Sequence, residues 1–453
     1  MSLFDNKLIE KYSASGPRYT SYPTANNFSN FSEEEYKEQV KLSNKLKNSL
    51  SIYCHIPFCN TVCFYCGCNK VVTKDKTKAE KYLEYLFKEI ERQAKLFDAK
   101  KNVEQMHFGG GTPTFLSNKQ IIALSEKLTE EFNFSDNGEY SIEIDPRGVD
   151  EETIRTLVKA KFNRISLGVQ DFDKDVQKAV NRIQSFESVQ EVINLARKYG
   201  FKSISIDLIY GLPKQSQITF KKTLELVEII KPDRISLFNY AHLPELFKPQ
   251  RRINEYELPT ADEKLKIFKY ATEFLLDNGY VYIGMDHFAL PNDSLSIAQK
   301  QGQLYRNFQG YSTHAHCDVI GLGLSAIGQV GDSFSQNEKV LDKYYEQIDE
   351  GNLPIIKGYI INEDDKIRRA VIMDLICHFK LNFAKIEQQF NIVFKDYFKD
   401  ELLKLNDMAS DKLLEIDKKH IQVNEKGKLL IRNICMVFDV YLKNKTTQFS
   451  KTI

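Results

Sequence analysis

The sequence predicts an α/β fold, a partial, TIM-like (β/α)6 barrel with an N-terminal arm and a C-terminal, mainly helical domain. Three observations carry this expectation. Six short β-rich runs alternate with five helical patterns between residues 51 and 240, and repeated strand–helix units of this kind build right-handed crossovers on a parallel sheet. The polar and glycine-rich motifs of that region fall at or just after the C-terminal end of a run, where parallel barrels and sheets carry their sites. Five cysteines cluster at the first run, Cys54 on it and Cys59, Cys63, Cys66 and Cys68 just behind it, while Cys317, Cys377 and Cys435 are scattered in apolar surroundings.

The elements follow in order. The first ~50 residues hold no clear strand. They contain the Pro-bounded extended stretch Gly16–Thr24, then a charged helical pattern from Ser32 to Lys47. Strands are expected over Ser51–Pro57, Val103–Phe108, Tyr140–Ile144, Arg164–Val169, Ser203–Ile209 and Arg234–Tyr240. Helices are expected over Lys78–Leu96, Ser117–Glu131, Asp150–Ala160, Ser185–Tyr199 and Gln217–Ile230. Beyond Leu243 the pattern loosens into a helix over Ala261–Leu276, a strand over Tyr280–Met285, and a Gly-rich apolar segment, Asp318–Gly331, expected to pack under the site. From Asn362 the composition turns to helical Lys, Glu, Leu and Ile, and Gln422–Ile431 reads as a small wing followed by a helix. The expected division is an arm over 1–35, a catalytic domain over 36–360 and a helical domain over 361–453. There is no internal repeat and no low-complexity tract.

Composition bounds the function. Lys and Arg number 63 against 62 Asp and Glu, so bulk electrostatic capture of nucleic acid or an anionic membrane is not expected. No apolar run reaches the ~18 residues needed to span a bilayer. The start, Met1–Lys7, lacks a basic region followed by an apolar one, so no signal peptide is read. A reducing cytoplasm is expected, and nothing demands more than a monomer. One dense cysteine cluster in such a compartment reads as a metal or redox site, because a disulfide framework would spread its cysteines.

The strongest local signal is Cys59-x-x-x-Cys63-x-x-Cys66. Three thiolates on one short loop can hold three irons of a four-iron cluster and leave the fourth iron open to a ligand. Cys68 follows as a candidate fourth ligand. The alternative is a structural zinc knuckle of Cys59, Cys63 and Cys66 with Cys68 or His55, although zinc sites favour two separated ligand pairs. Gly109-Gly110-Gly111-Thr112-Pro113 lets the backbone approach a ligand closely, and its N–H groups could bind a carboxylate. It is not a phosphate loop, since no Lys-Ser/Thr follows. Glu143, Gln170, Arg182 and Asp207 are expected at the barrel mouth. Carboxylates there suit an ammonium group or ribose hydroxyls, and Arg182 suits a carboxylate, so together they describe a site for a zwitterionic nucleoside.

The three-cysteine loop, the Gly-Gly-Gly-Thr-Pro loop and the partial barrel together resemble the radical S-adenosylmethionine (SAM) enzymes. More narrowly, the sequence is similar to the oxygen-independent coproporphyrinogen III oxidases, or coproporphyrinogen dehydrogenases. The segments that carry this are PRYTSYPT (17–24), the cluster loop with its extra Cys68, EIDPR (143–147), GVQDF (168–172), DLIYGLP (207–213), NYAHLPE (239–245), DHFAL (286–290), NFQGY (307–311) and RNICMVFD (432–439). The likeness spans nearly the whole chain, from Gly16 onward.

The resemblance implies a radical SAM barrel with a [4Fe-4S] cluster on Cys59, Cys63 and Cys66, and two SAM molecules. The first SAM would sit on the cluster near Tyr53, Tyr65, Gly110, Glu143 and Ile327. The second would contact Gly111, Thr112, Gln170, Arg182, Asp207 and Ala241. Tyr53, Arg18 and Gln309 are the implied catalytic set, with Arg18 and Gln309 near the tetrapyrrole. The implied reaction, in anaerobic haem (porphyrin) biosynthesis, is radical oxidative decarboxylation of two propionates of coproporphyrinogen III to vinyl groups. It gives protoporphyrinogen IX, carbon dioxide, methionine and 5′-deoxyadenosine, with an unidentified electron donor and acceptor. Arg18 and the basic stretch Lys248–Arg252 fit a substrate with four carboxylates, although an ordinary solvated basic loop is the expected reading of that stretch. Two features depart from the pattern. Tyr65 stands where Phe is usual, and His314-Ala315-His316-Cys317 is foreign to it. Two histidines and a cysteine can bind metal, but a loop without a ligand role is expected. The competing readings are a haem-delivery relative and a radical enzyme that opens or methylates haem. Neither accounts for the PRYTSYPT arm.

Overall fold

In the computed structural model the chain is described over residues 4–46 and 48–444. Met1–Leu3, Lys47 and 445–453, which fall in the expected arm, the end of the charged helix and the C-terminal domain, lie outside the described residues. The chain divides into two compact units. The larger comprises 28–278 and 316–360; the smaller comprises 1–27, 279–315 and 361–453.

The larger unit is built on ten strands: β1 (Leu50–Ile56), β2 (Asn102–Gly110), β3 (Asn133–Ile144), β4 (Arg164–Gln170), β5 (Ser203–Tyr210), β6 (Arg234–Asn239), β7 (Asp318–Leu322), β8 (Ile327–Val330), β9 (Ser333–Asn337) and β10 (Ile355–Ile360). Their order is β10-β9-β8-β7-β1-β2-β3-β4-β5-β6. The seven strands from β7 to β6 are parallel, and β8 to β10 continue antiparallel. Burial on both faces explains the near-continuous apolar runs of β1 and β5. Ile52, Phe108, Ile142, Leu167, Ile206, Leu208 and Leu237 are all fully buried.

The crossovers are helices with caps written in the sequence. Helix α1 (Glu33–Lys45) opens on a Ser32/Glu35 capping box. α2 is Thr77–Ala94; α3 (Asn118–Glu131) opens on a Ser117/Gln120 box; α4 (Glu151–Lys159) is capped by Asp150. α5 (Lys174–Ala179) and α6 (Phe186–Lys198) follow β4, and α7 (Gln217–Ile230) is capped by Ser216. Each cap satisfies N–H groups that the first helical turn leaves without partners.

Three differences from expectation have physical causes. β3 begins at Asn133, seven residues before the apolar run, because the polar segment 133–138 pairs alongside Asn102 and Val103. Asn, Asp and Gly there read locally as a turn, and tertiary pairing overrides that preference. Asp318–Gly331 is two strands and not one segment under the site. β7 lies on the free edge of β1, in register from Leu50↔Asp318 to Cys54↔Leu322. It then turns back at Gly323, whose φ of +89° suits glycine. Finally, Gly109 and Gly110 are the last residues of β2 and not a loop behind it.

In the smaller unit, helices Glu363–His378, Lys399–Ser410 and Ile431–Met436 surround Ile372, Leu375, Ile376, Phe398, Ile434 and Phe438. Strands Lys380–Asn382, His420–Val423 and Leu414–Ile416 form the wing, followed by helix Glu425–Leu429. The N-terminal arm belongs to this unit. Arg432 donates from Nε to the Pro17 carbonyl at 2.9 Å and also bonds the Gly16 carbonyl. Tyr19 donates to Asp439 at 3.0 Å. Among the described residues no helix is long and apolar enough to cross a membrane.

Candidate active site

The C-terminal ends of β1 to β6 open onto a cleft of about 260 Å3. Of the expected residues it is lined by Cys59, Cys63, Cys66, Tyr65, Gly110, Gly111, Thr112, Glu143, Gln170, Arg182 and Asp207, together with Cys68. β1 delivers the cysteine loop, and the next strand holds it in place. The Gly111 N–H donates to the Ile56 carbonyl and the Thr112 N–H to the Phe58 carbonyl, each at 2.8 Å. A Cβ on Gly111 would stand 2.8 Å from the backbone of Pro57 and Phe58, so only glycine lets the two segments lie this close. The Gly110 N–H is taken by Glu143 Oε2 at 3.3 Å. The N–H groups of Gly110, Gly111 and Thr112 are therefore spent inside the protein, and the loop does not offer them to a ligand carboxylate.

The cysteine loop is pinned from the other side as well. The Phe64 N–H donates to the Val180 carbonyl at 3.0 Å and Asn181 Nδ2 to the Val62 carbonyl at 2.8 Å. Gln250, interior in the stretch expected to be a solvated basic loop, donates to the carbonyls of Tyr65 and Ala241 at 3.1 and 3.2 Å. Arg252 lies 5.4 Å from the Phe64 ring centre.

Two guanidinium groups face one thiol. Arg182 Nη1 is 3.5 Å from Cys63 Sγ and Arg147 Nη2 is 3.9 Å from it. Asp145 clamps both, at 3.3 Å from Arg182 and 2.6 Å from Arg147. Burial pushes the Asp145 carboxyl up, but the two arginines outweigh it and hold it low. A hydrogen bond from Cys68 and the Lys70 ammonium pull the Cys66 thiol down to about 5. Burial pushes the Cys59 thiol up to about 11, with the Thr112 hydroxyl 3.5 Å away offsetting part of this.

The donor set discriminates between metals. A single zinc ion bonded at ~2.3 Å needs sulfurs within ~4 Å of one another. Among the described residues the one gathering of three metal-type ligand atoms within 4.8 Å is Glu104, His316 and Cys317, away from this loop. The ligand atoms of the cysteine loop form no such gathering among the described residues. Gln170, buried with φ +69°, leaves its Oε1 without a hydrogen bond, a polar group of the kind a ligand satisfies. Burial and the neighbouring Glu143 raise the Asp207 carboxyl to about 7.

Several expected residues lie outside the cleft. Tyr53 sits beneath its floor, its ring stacked on His107 at 5.9 Å and its hydroxyl 3.1 Å from His55 Nδ1. His107 bridges Ser141 at 2.6 Å and Glu143 at 3.4 Å. Ala241 does not line the cleft, its carbonyl accepting from Gln250, and Ile327 opens β8. Arg18 and Gln309 belong to the smaller unit, where Arg18 pairs with Asp286. Arg147 and Asp145 were not expected as partners of the cysteine loop. Their signal was present, since both lie in EIDPR at the end of β3.

Comparison with known proteins agrees with this geometry. The Radical SAM superfamily matches residues 53–227, which places the catalytic core in the class of enzymes that use a [4Fe-4S] cluster and SAM. The HemN C-terminal domain matches residues 361–430. The oxygen-independent coproporphyrinogen III oxidase of Pseudomonas aeruginosa is 50% identical over 99% of both chains. That of Escherichia coli is 49% identical over 99% of this chain and 98% of its own. The solved structure of the Escherichia coli coproporphyrinogen III oxidase, described as a radical SAM enzyme, superposes with a TM-score of 0.93 at 48% identity, covering 97% of this chain and 99% of that one. The chain belongs to the family of oxygen-independent coproporphyrinogen III oxidases.

Proposed function

We propose that the chain converts coproporphyrinogen III to protoporphyrinogen IX, turning two propionates into vinyl groups with release of carbon dioxide. The observation that supports this most is the convergence of the Cys59, Cys63 and Cys66 thiols on one cleft with Glu143, Gln170, Arg182 and Asp207. Cys59, Cys63 and Cys66 hold the cluster. When bound, the cluster and SAM supply a 5′-deoxyadenosyl radical that takes hydrogen from the substrate.

The protein's own residues bind and orient. Glu143, fixed by the Gly110 N–H and His107, suits the ammonium of a first SAM, with Tyr53, Tyr65, Gly110 and Ile327 around it. Gln170, Arg182 and Asp207, with Gly111, Thr112 and the Ala241 carbonyl, suit a second. Tyr53 acts on this site through His107 and Glu143 and is a positioning residue. Arg18 and Gln309 contact the tetrapyrrole. In favour of this, Gln309 Nε2 is buried without a hydrogen bond, and the Arg18 side chain keeps 32% of its surface exposed. The functional division by segment is the arm 1–35, the catalytic domain 36–360 and the helical domain 361–453. The reading further includes a monomer in the cytoplasm that draws on a separate electron donor and acceptor.

An anaerobic assay tests it. The protein with its rebuilt cluster is given a reductant, SAM and coproporphyrinogen III, and the products are separated. Protoporphyrin together with 5′-deoxyadenosine is the expected result. 5′-Deoxyadenosine without any decarboxylated porphyrin would overturn the substrate and leave the radical chemistry.

A further inference from the structure

The sequence motif left unexplained by this function is His314-Ala315-His316-Cys317. Its two halves part company in the structure. His314 belongs to the smaller unit. His316 and Cys317 stand at the head of β7, in the larger unit, at the N-terminal edge of the sheet and so at the opposite end of β1 from the cysteine loop.

A third ligand comes from a distant segment. Glu104 lies on β2, and both neighbouring strands skip it. β1 passes from Leu50↔Val103 to Ser51↔Gln105, and β3 passes from Val103↔Phe134 to Gln105↔Glu139. Glu104 is thus the extra residue of a β-bulge, a device that re-aims a side chain out of the pleat. The carboxylate it re-aims lies 2.8 Å from His316 Nε2 through Oε2. Its other oxygen accepts a hydrogen bond from the Ser49 hydroxyl at 2.7 Å. Ser49 in turn anchors the head of β7, its carbonyl accepting from the Asp318 N–H at 2.9 Å. One imidazole nitrogen, one thiol and one carboxylate oxygen therefore lie within 4.8 Å of one another, supplied by two segments more than two hundred residues apart.

We propose that Glu104, His316 and Cys317 form a metal site for a zinc-class divalent ion, separate from the iron–sulfur loop. The donor set selects the ion. A thiolate and an imidazole suit a borderline metal such as zinc and disfavour calcium or magnesium, which take oxygen ligands. Tetrahedral bonds of ~2.0–2.3 Å put ligand atoms ~3.3–3.8 Å apart, so the present spacing closes with side-chain movements of under ~1 Å. Thiolate and carboxylate neutralise a dication. Ser49 plays the part that outer partners usually play for zinc ligands, fixing the carboxylate from behind. His316 is exposed, which leaves the fourth position to water, while Cys317 is buried. Burial, with Glu104 and Asp318 reinforcing it, pushes the Cys317 thiol up to about 12. Without metal the thiol keeps its proton; binding displaces that proton to solvent. The ion would tie β2 to β7 across the start of β1.

The test uses the full chain with its iron–sulfur cluster assembled, so that the loop cysteines are occupied. The protein is incubated anaerobically with zinc, freed of excess ion, and analysed for iron and zinc together. The wild type is expected to retain about one zinc per chain, with an absorption-edge spectrum of one sulfur at ~2.3 Å and nitrogen or oxygen at ~2.0–2.2 Å. His316→Ala and Glu104→Gln are expected to weaken zinc binding by about tenfold or more, with iron unchanged. His316 is exposed, so its replacement leaves the fold intact. A zinc shell of several sulfurs, zinc held equally by both variants, or no zinc retained by the wild type would each overturn the proposal.

Discussion

The Arg182 guanidinium lies 3.5 Å from the sulfur of Cys63 and at the same time holds the Gly168 carbonyl through Nε at 3.0 Å. One side chain thus joins the end of β4 to the cysteine loop. With Arg147 and Asp145 it makes a charged clamp around the Cys63 sulfur.

Cys63→Ser is expected to lose cluster iron and SAM cleavage together, because no oxygen ligand of serine replaces the thiolate in that position. Arg182→Met is expected to take up about half the wild-type iron or less, since it removes both the charge and the tie to Gly168. Arg182→Lys should fall between the two, keeping the charge but not the forked geometry. Iron analysis and the visible spectrum after anaerobic reconstitution decide this; a full complement of iron in Arg182→Met would count against the clamp.

Gly110, the last residue of β2, and Gly111 just after it give a second prediction. A Cβ on Gly110 would stand 2.6 Å from the His55 ring, at a φ of +113° that side chains rarely adopt. A Cβ on Gly111 would stand 2.8 Å from backbone that cannot rotate away. Gly111→Ala should therefore destabilise the larger unit by about 2 kcal/mol or more and shift the cysteine loop. Thermal melting with parallel iron analysis measures both effects.

Arg18 and Asp286 pair inside the smaller unit, and Asp286 keeps only 14% of its side-chain surface exposed. Burial pushes the Asp286 carboxyl up; Arg18 first, then His287, Arg306 and Arg432, overcome this and hold it low. Arg18→Ala should lower substrate turnover by about tenfold or more while leaving iron content and the cluster spectrum unchanged. Cluster loss in this variant would show the arm to be structural only.

Glu89 predicts a pH dependence. It is fully buried and accepts hydrogen bonds from Tyr344 at 2.6 Å, Asn337 at 2.7 Å and the Gly323 N–H at 2.9 Å. Burial nonetheless raises its carboxyl to about 7, against about 4.3 in an unfolded chain. Between those values the folded protein binds a proton that the unfolded chain has released. Stability is therefore highest below the unfolded value, falls as pH rises through the window, and levels off above about pH 7. The contribution is about 3–4 kcal/mol across the window. Glu89→Gln should melt with a flatter pH profile between about pH 5 and about pH 8. An unchanged slope would mean that Glu89 is ionised throughout.

Much of this was legible in the residues. The six parallel strands were, because burial on both faces forces apolar runs bounded by turn residues, and the helix starts at Ser117, Asp150 and Ser216 were, because their side chains cap the first turn. Most of the cleft's lining was legible from the rule that parallel strands present their C-terminal ends, but Asp145 and Arg147 were missed and Tyr53, Ala241 and Ile327 lie outside it. What escaped was decided by partners distant in sequence. β7 is Gly-rich and too short to show a period, and it is a strand because β1 has a free edge. Residues 133–138 look like a turn until Asn102 pairs beside them. The internal use of the Gly110, Gly111 and Thr112 N–H groups depends on carbonyls of β1 and on Glu143, which spacing alone cannot reveal.

The place of β1 between β2 and β7 also has a consequence in time. On the ribosome, the cysteine loop emerges long before its strand is enclosed. One edge of β1 is covered when β2 appears; the other waits for roughly 260 further residues, until Asp318–Leu322 is made. At about 5–20 residues per second that interval is ~13–50 s. During it the nascent chain holds a half-built sheet and thiols not yet enclosed by it. A slower-translated stretch between Leu243 and Asp318 would lengthen that interval.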